Sequence, residues 1–144
     1  MKRLIIAGLL IAATALSAQQ KPEIRTPQSG FRAGEAGESA CKDSDTCTFV
    51  DVEGWVPQDR VAVWVVGPER RAPAVWVQNA TGDEDGDVGA SVRIGTVHEG
   101  AEEWFKIWLL ACPADDVPDA GETALSKLPT SCDKSKPVRV YRVR

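Results

Sequence analysis

The sequence predicts an all-β protein, and within that class an antiparallel sandwich of six to seven strands. Three observations lead to this prediction. Apolar residues fall in short runs rich in Val, Ile and Trp, the residues that favour a pleated, half-buried surface. Gly, Pro and Asp separate these runs, as tight turns between strands require. No run shows a convincing helical periodicity of its apolar residues.

Three strands are predicted in the first half of the mature chain. Residues 48–52 are β-prone, and a glycine soon ends the run. Residues 61–66 form a strong run of Val, Ala and Trp, which Gly67 and Pro68 close. Residues 74–78 form a third run, and a Gly- and Asp-rich turn follows it.

Three further strands are predicted toward the C-terminus. Residues 90–97 alternate polar and apolar side chains, and residues 104–111 are the most hydrophobic run of the mature chain. A last strand occupies residues 138–143, and residues 118–127 can hold one helical turn. Six or seven short strands in about 100 residues are typical of an immunoglobulin-like sandwich.

A cleavable signal peptide is predicted over residues 1–18. Lys2 and Arg3 supply a basic start, an uncharged apolar run covers residues 4–16, and small residues up to Ala18 suit a signal peptidase. This run of 13 residues is short for a membrane-spanning helix, which needs about 20. We therefore expect export to the periplasm or the extracellular medium, and a mature chain without a transmembrane segment.

Residues 19–40 are predicted to be a disordered tether. Prolines, glycines and scattered charges interrupt this stretch, and no apolar periodicity runs through it. Such a segment buries too little apolar surface to offset the entropy that it loses on ordering. The folded domain is accordingly expected at residues 41–144.

The mature chain is acidic, but its charge is uneven. Cleavage removes two basic residues and leaves 15 basic against 21 acidic ones, a net charge of −6. This balance disfavours nucleic acid as a partner, because phosphate binding needs a basic footprint. The C-terminal segment is basic, and we interpret its charges either as a surface for lipopolysaccharide or an acidic protein, or as protection of an edge strand. Its basic residues are Lys134, Lys136, Arg139, Arg142 and Arg144.

Side-chain alternation assigns the two faces of the predicted strand at residues 104–111. Lys106 is costly to bury, so its face is expected to point outward and the opposite face inward. The inward set is Phe105, Ile107, Leu109 and Ala111. The outward set is Lys106, Trp108, Leu110 and Cys112.

Four cysteines remain after cleavage, and in a small exported domain they indicate two disulfides. Their spacing does not suit a zinc site. Because Cys112 lies in the outward phase, a local bridge to Cys132 is favoured over a buried bridge between sheets, and Cys41 with Cys47 forms the second bridge. Closing the longer loop stabilises the fold by about 3 kcal/mol in the chain-entropy model. Bridges that join the first two cysteines to the last two are the alternative.

Several motifs together resemble a family of small bacterial exported β-sandwich modules of the immunoglobulin-like type, whose function is uncharacterised. They are Val-Trp-Val-Val-Gly-Pro at 63–68, Val-Trp-Val-Gln at 75–78, Asp-Gly at 85–86, Ser-Val-Arg-Ile-Gly at 91–95 and Glu-Trp-Phe-Lys-Ile at 103–107. The resemblance covers about half of the mature chain and implies a non-catalytic binding or spacer domain. The cysteines, the acidic turn and the C-terminal segment depart from that pattern.

No catalytic set is predicted. The single histidine, His98, follows a predicted strand and lies beside Glu99 and Gly100. No Gly-x-Ser-x-Gly motif exposes a nucleophilic serine, and the cysteines are expected in disulfides. We therefore expect a protein that is not an enzyme and that uses no cofactor.

Alternating carboxylates before the fourth predicted strand form a weak calcium candidate, at Asp83, Asp85 and Asp87. The pattern is not an EF-hand loop, because the sixth position counted from Asp83 is Val88 rather than glycine. A solvated acidic hairpin turn with Gly86 at its tip is the favoured interpretation.

The five tryptophans are many for so small a domain, and three of them form the candidate binding face. Trp64, Trp76 and Trp108 on one outer surface would make an aromatic platform for a protein or a sugar. The alternative is that these side chains pack between the sheets or under loops.

The sequence thus favours a monomeric, non-enzymatic exported domain that binds a protein or a cell-envelope component. One alternative is a carbohydrate-binding module that uses the tryptophans of the candidate binding face. Another is an inhibitor of a secreted enzyme, in which the disulfide-braced loop at residues 115–130 enters an active site.

Overall fold

The computed structural model describes residues 20–34, 48–78, 86–96 and 98–143. These ranges contain ten β-strands and three single 3-10 turns, so the predicted all-β class is confirmed. No helix within them is long and apolar enough to cross a membrane. The strands in chain order are β1 Glu23–Thr26, β2 Phe31–Ala33, β3 Phe49–Trp55, β4 Val61–Pro68, β5 Ala74–Gln78, β6 Asp87–Arg93, β7 Glu103–Cys112, β8 Gly121–Ala124, β9 Asp133–Lys134 and β10 Val138–Arg142. The 3-10 turns are Glu69–Arg71, Ala114–Asp116 and Leu125–Lys127.

The strands form two sheets. The smaller sheet has the order β1-β3-β6, and the larger has the order β2-β10-β7-β4-β5-β8 with β9 paired to β7. All of these pairings are antiparallel except that of β2 with β10, which is parallel. One core cluster takes side chains from both sheets, so the sheets pack face to face as a sandwich. Strand β3 between β1 and β6, and β7 between β10 and β4, follow the immunoglobulin-like order.

The core between the sheets is built from the inner phase of each strand. The small sheet contributes Val50 and Val92, and the large sheet contributes Trp64 and Val66. The predicted inward set of β7 is confirmed, because all four of its side chains are buried in this cluster. These are Phe105, Ile107, Leu109 and Ala111.

A second apolar cluster lies on the outer face of the large sheet, where side-chain alternation predicts contact with solvent. Leu110 and Cys112 lie on this outer face but are 0% exposed. The expectation that their side chains meet solvent is therefore wrong. The physical reason is that the segment from the third 3-10 turn to Cys132 folds over this half of the sheet and lays Leu128 on it. Lys106, by contrast, keeps part of its side chain in solvent.

Cys112 and Cys132 form a disulfide, as predicted, with their Cα atoms 4.2 Å apart. The bridge closes a loop over a sequence separation of 20 residues and holds the covering segment on the sheet. The predicted bridge between Cys41 and Cys47 lies outside the described residues, as does the predicted signal peptide at residues 1–18.

The predicted tether contains two strands, so its description as disordered is wrong at β1 and β2. Strand β1 pairs with β3 in the small sheet, and β2 pairs with β10 in the large sheet. Ala33 is fully buried, and Ile24 and Phe31 pack against the core. Two strands of four and three residues are too short to show a period, and their stability comes from pairing with longer neighbours.

Six strands lie where the sequence predicts them, although the count of six to seven is too low. The fourth predicted strand runs from Asp87 to Arg93 rather than over residues 90–97, because Gly95 adopts a positive φ of 80° just after it. Strands β8 and β9 were also missed. The helical turn expected near residues 118–127 is present as the 3-10 turn Leu125–Lys127.

Candidate functional site

The three tryptophans of the candidate binding face do not share a surface. Trp64 is 0% exposed in the core, and its indole Nε1 has no hydrogen-bond partner among the described residues. Trp76 lies opposite Val66 on the inner face of the large sheet, whereas Trp108 lies opposite Val65 on the outer face. The predicted platform is therefore wrong. Both phases of β4 are buried, one between the sheets and one under the covering segment, so alternation alone does not show which tryptophan reaches the surface.

The uncovered half of the outer sheet carries a different set of aromatic and basic residues. Strand β7 presents Trp104 and Lys106, β10 presents Arg139 and Tyr141, and β2 presents Arg32. The strand register places Tyr141 between Trp104 and Arg32, and Arg139 beside Lys106. We call these five residues the basic–aromatic face.

The rings and cations of this face contact one another. Trp104 and Tyr141 have ring centroids 5.1 Å apart at an interplanar angle of 58°, a tilted arrangement that aromatic pairs favour. The Arg139 guanidinium lies 4.2 Å from the centre of the Trp104 ring, and that of Arg32 lies 4.8 Å from the centre of the Tyr141 ring. Each ring therefore holds one cation by a cation–π contact.

Glu69, in the 3-10 turn after β4, orients one of these cations. Arg139 donates from Nε and Nη2 to the two carboxylate oxygens of Glu69 at 2.5 and 2.9 Å. These hydrogen bonds hold the pKa of Glu69 below its ordinary value, against the opposing effect of burial, and the charges of Arg139 and Lys106 lower it further. The same hydrogen bonds raise the pKa of Arg139.

The predicted basic C-terminal segment is divided by the fold. Arg139 belongs to the basic–aromatic face, and Lys134 and Lys136 are exposed. Arg142 is 0% exposed, so its expected surface role is wrong, and Arg144 lies outside the described residues.

Arg142 is instead buried in a cage of carbonyl groups. Its Nη1 donates to the backbone oxygens of Ile94, Thr96 and Glu99 at 3.1, 2.7 and 2.8 Å. A Cβ on Gly95 would lie 2.8 Å from this nitrogen, so the close approach of the loop depends on glycine. The buried guanidinium thus fixes the loop between β6 and β7.

That loop forms one wall of a cleft of about 740 Å³ at the end of the sandwich. Trp76 and Gln78 of β5 line it from the large sheet, and Phe49 and Arg93 line it from the small sheet. The Gln78 amide joins the two sheets, because its Oε1 accepts from Arg93 N at 2.8 Å and its Nε2 donates to Arg93 O at 2.9 Å. We call this space the β5 cleft.

His98 lies at the exposed rim of the β5 cleft. Its backbone N–H donates to Thr96 Oγ1 at 3.3 Å, and Glu99 N–H donates to the same oxygen at 3.0 Å. These bonds place His98 in a turn.

The calcium candidate lies mostly outside the described residues, because only Asp87 belongs to them. Asp87 pairs with Arg25, which approaches one carboxylate oxygen to 2.7 Å. Within the described ranges, no three His, Cys, Asp or Glu residues are grouped to hold a metal ion. Because β5 belongs to the large sheet and β6 to the small one, these two strands do not form the hairpin that the sequence favours.

The fold and these surfaces define a disulfide-braced, sheet-rich β-sandwich protein with an exposed basic–aromatic face and a cleft at one end. Comparison of the chain with protein-family models, with curated proteins and with solved structures found no match.

Proposed function

We propose that the chain is an exported, non-enzymatic binding domain that recognises an acidic protein or cell-envelope component through its basic–aromatic face. The observation that carries this proposal is the pair of cation–π contacts that Arg139 makes with Trp104 and Arg32 makes with Tyr141. The resemblance to small exported immunoglobulin-like modules supports it as well.

The charges of this face favour an acidic partner. Within the described ranges, this face holds three cations, Arg32, Lys106 and Arg139, beside the carboxylate of Glu69, in a chain whose net charge is −4. A partner with negative charge is steered toward this region, while the rest of the acidic surface repels it. The face therefore supplies orientation as well as attraction.

The cation–π geometry suits recognition of carboxylates or phosphates. A guanidinium held over an aromatic ring still has N–H groups at its edge that can donate to a planar anion. Glu69 engages two donors of Arg139, so we expect Arg139 to be held in place while Arg32 and Lys106 add to the positive charge that attracts the partner. The tilted Trp104–Tyr141 pair adds apolar area that binding removes from water.

The experiment compares the wild-type protein with an R32Q/K106Q double variant in capture from a bacterial envelope extract. The control is R60Q/K127Q, which removes the same charge from residues outside the basic–aromatic face. We expect a component that wild type and control capture at low salt, and that the face variant binds about tenfold more weakly. Equal capture by all three proteins would contradict the proposal.

A second candidate function, inhibition of a secreted enzyme, is favoured by the loop that the disulfide closes. Val117 is 42% exposed at its surface. The neighbouring Asp116 accepts a hydrogen bond from Ser131 Oγ at 2.7 Å, and the Cys112–Cys132 bridge holds the base of the loop. An exposed apolar side chain on a braced loop can enter a substrate pocket at low entropic cost.

Assays against a panel of secreted hydrolases test this candidate. Inhibition by the wild-type protein that V117D abolishes and V117I retains would support it. A panel in which every enzyme keeps full activity would leave the basic–aromatic face as the better explanation.

A further inference from the structure

We propose that the β5 cleft is a second binding site, for a small ligand that contains one ring and one carboxylate group. This site is distinct from the basic–aromatic face, because none of the five residues of that face lines the cleft.

The size and lining of the cleft are those of a small-molecule site. Its volume of about 740 Å³ lies within the range of roughly 300–1,000 Å³ that such sites occupy. Phe49 and Trp76 provide aromatic walls, and Val66 and Pro68 provide aliphatic surface. Trp76 is partly exposed, so a ligand in the cleft can contact it.

Among the described residues that line the cleft, one cation has no ion pair. Arg70 pairs with Glu103 at 3.0 Å, and Arg71 pairs with Glu99 at 3.5 Å. Arg93 has no ion-pair partner in the part of the chain that the structure describes, and its guanidinium lies 4.9 Å from the centre of the Phe49 ring. A negative group on the ligand would complete this arrangement.

A carboxylate is the group that this geometry favours. The Arg93 guanidinium lies over the Phe49 ring, and the planar edge of a guanidinium presents paired N–H donors. A carboxylate can accept two parallel hydrogen bonds from such an edge. The ligand's ring would then extend from Arg93 toward Trp76, since both residues line the same cleft.

The walls are held in place before any ligand binds. Gln78 fixes the backbone of Arg93 with two hydrogen bonds, and the caged Arg142 holds the opposite loop at three carbonyl oxygens. A site with fixed walls loses little entropy on binding, so even a small ligand can bind measurably.

Two kinds of molecule share this chemistry, namely aromatic acids and uronic sugars. Isothermal titration of the wild-type protein uses two matched pairs, phenylacetate with phenylacetamide and glucuronate with glucose. We expect one acid to bind at least about tenfold more tightly than its neutral counterpart, and the responding pair identifies the kind of ligand. If neither acid binds at millimolar concentration, or if acid and neutral compound bind equally, the proposal is wrong.

Variants locate the binding. R93Q is expected to remove the preference for the acid, and W76L is expected to weaken both members of the responding pair by about tenfold. K127Q, outside the cleft, serves as the control for lost charge. Thermal unfolding of each variant verifies that it is folded, and an acid affinity unchanged in folded R93Q would overturn the assignment.

Discussion

The outer face of the large sheet has two halves that one strand, β7, crosses. In one half Leu110 and Cys112 lie under the covering segment and are fully buried. In the other half Trp104 and Lys106 remain partly in solvent and form the basic–aromatic face. All four residues share one phase of the strand, so alternation defines the face, and the covering segment decides which part of it becomes core.

The largest expected effect is a difference in stability between a substitution in the covered half and one in the basic–aromatic face. L110A should destabilise the fold by about 2–5 kcal/mol, because it leaves a cavity under the covering segment. K106A should change the free energy of unfolding by less than about 0.5 kcal/mol, since its side chain is partly solvated. Urea denaturation of both variants measures the difference, and similar midpoints would show that the two halves are not distinct.

Removing the disulfide should loosen the covering segment and expose more of the covered half to solvent. C112S/C132S is expected to lose about 3 kcal/mol of stability, because the unfolded chain regains the entropy of the loop. Hydrogen exchange of the backbone should then speed up in the covering segment more than in β10. A uniform increase across the domain would show instead that the segment is not a separate unit.

A double-mutant cycle tests whether Trp104 and Tyr141 of the basic–aromatic face stabilise the fold through their contact with each other. W104A, Y141A and the combined variant should reveal a coupling of about 0.5–1.5 kcal/mol, as expected for a tilted aromatic pair. Denaturation midpoints supply the four free energies. Strict additivity would mean that the two rings contact each other without stabilising the fold.

The smallest expected effect is electrostatic. The lowered pKa of Glu69 means that its contribution to stability is present above the ordinary pKa of a glutamate and is lost as pH falls through the lowered value. NMR titration of the Glu69 carboxyl carbon should give a higher pKa in R139Q than in the wild-type protein. An unchanged value would show that Arg139 does not hold the carboxylate.

The sequence predicted those parts of the fold that carry a local pattern. The inner phase of β7 and the local bridge from Cys112 to Cys132 followed from alternation and from the cost of burying Lys106. Strands β1 and β2 were missed because three or four residues carry no period. Their pairing partners lie far along the chain, and no local signal announces them.

The sequence predicted which types of residue would form the candidate sites, but not which individual residues would reach the surface. Aromatic and basic residues were expected to meet a partner, but the choice of Trp64 was wrong, because Trp64 is buried. Both faces of β4 are covered, so the sequence of this strand does not show which of its side chains reach solvent. Arg142 was missed as a structural residue. Its cage depends on Gly95 and Gly100 at positive φ, and that glycine pair was the available signal.

The paired hydrogen bonds of Gln78 have a consequence for association between molecules. Strand β6 is an edge of the small sheet, and an edge strand offers its backbone to any neighbouring chain. The Gln78 amide occupies both the donor and the acceptor of Arg93, as a residue of an added strand would. One side chain therefore prevents a second copy of the chain from pairing with this end of the edge strand. At high local concentration, this protection opposes the assembly of molecules into a continuous sheet.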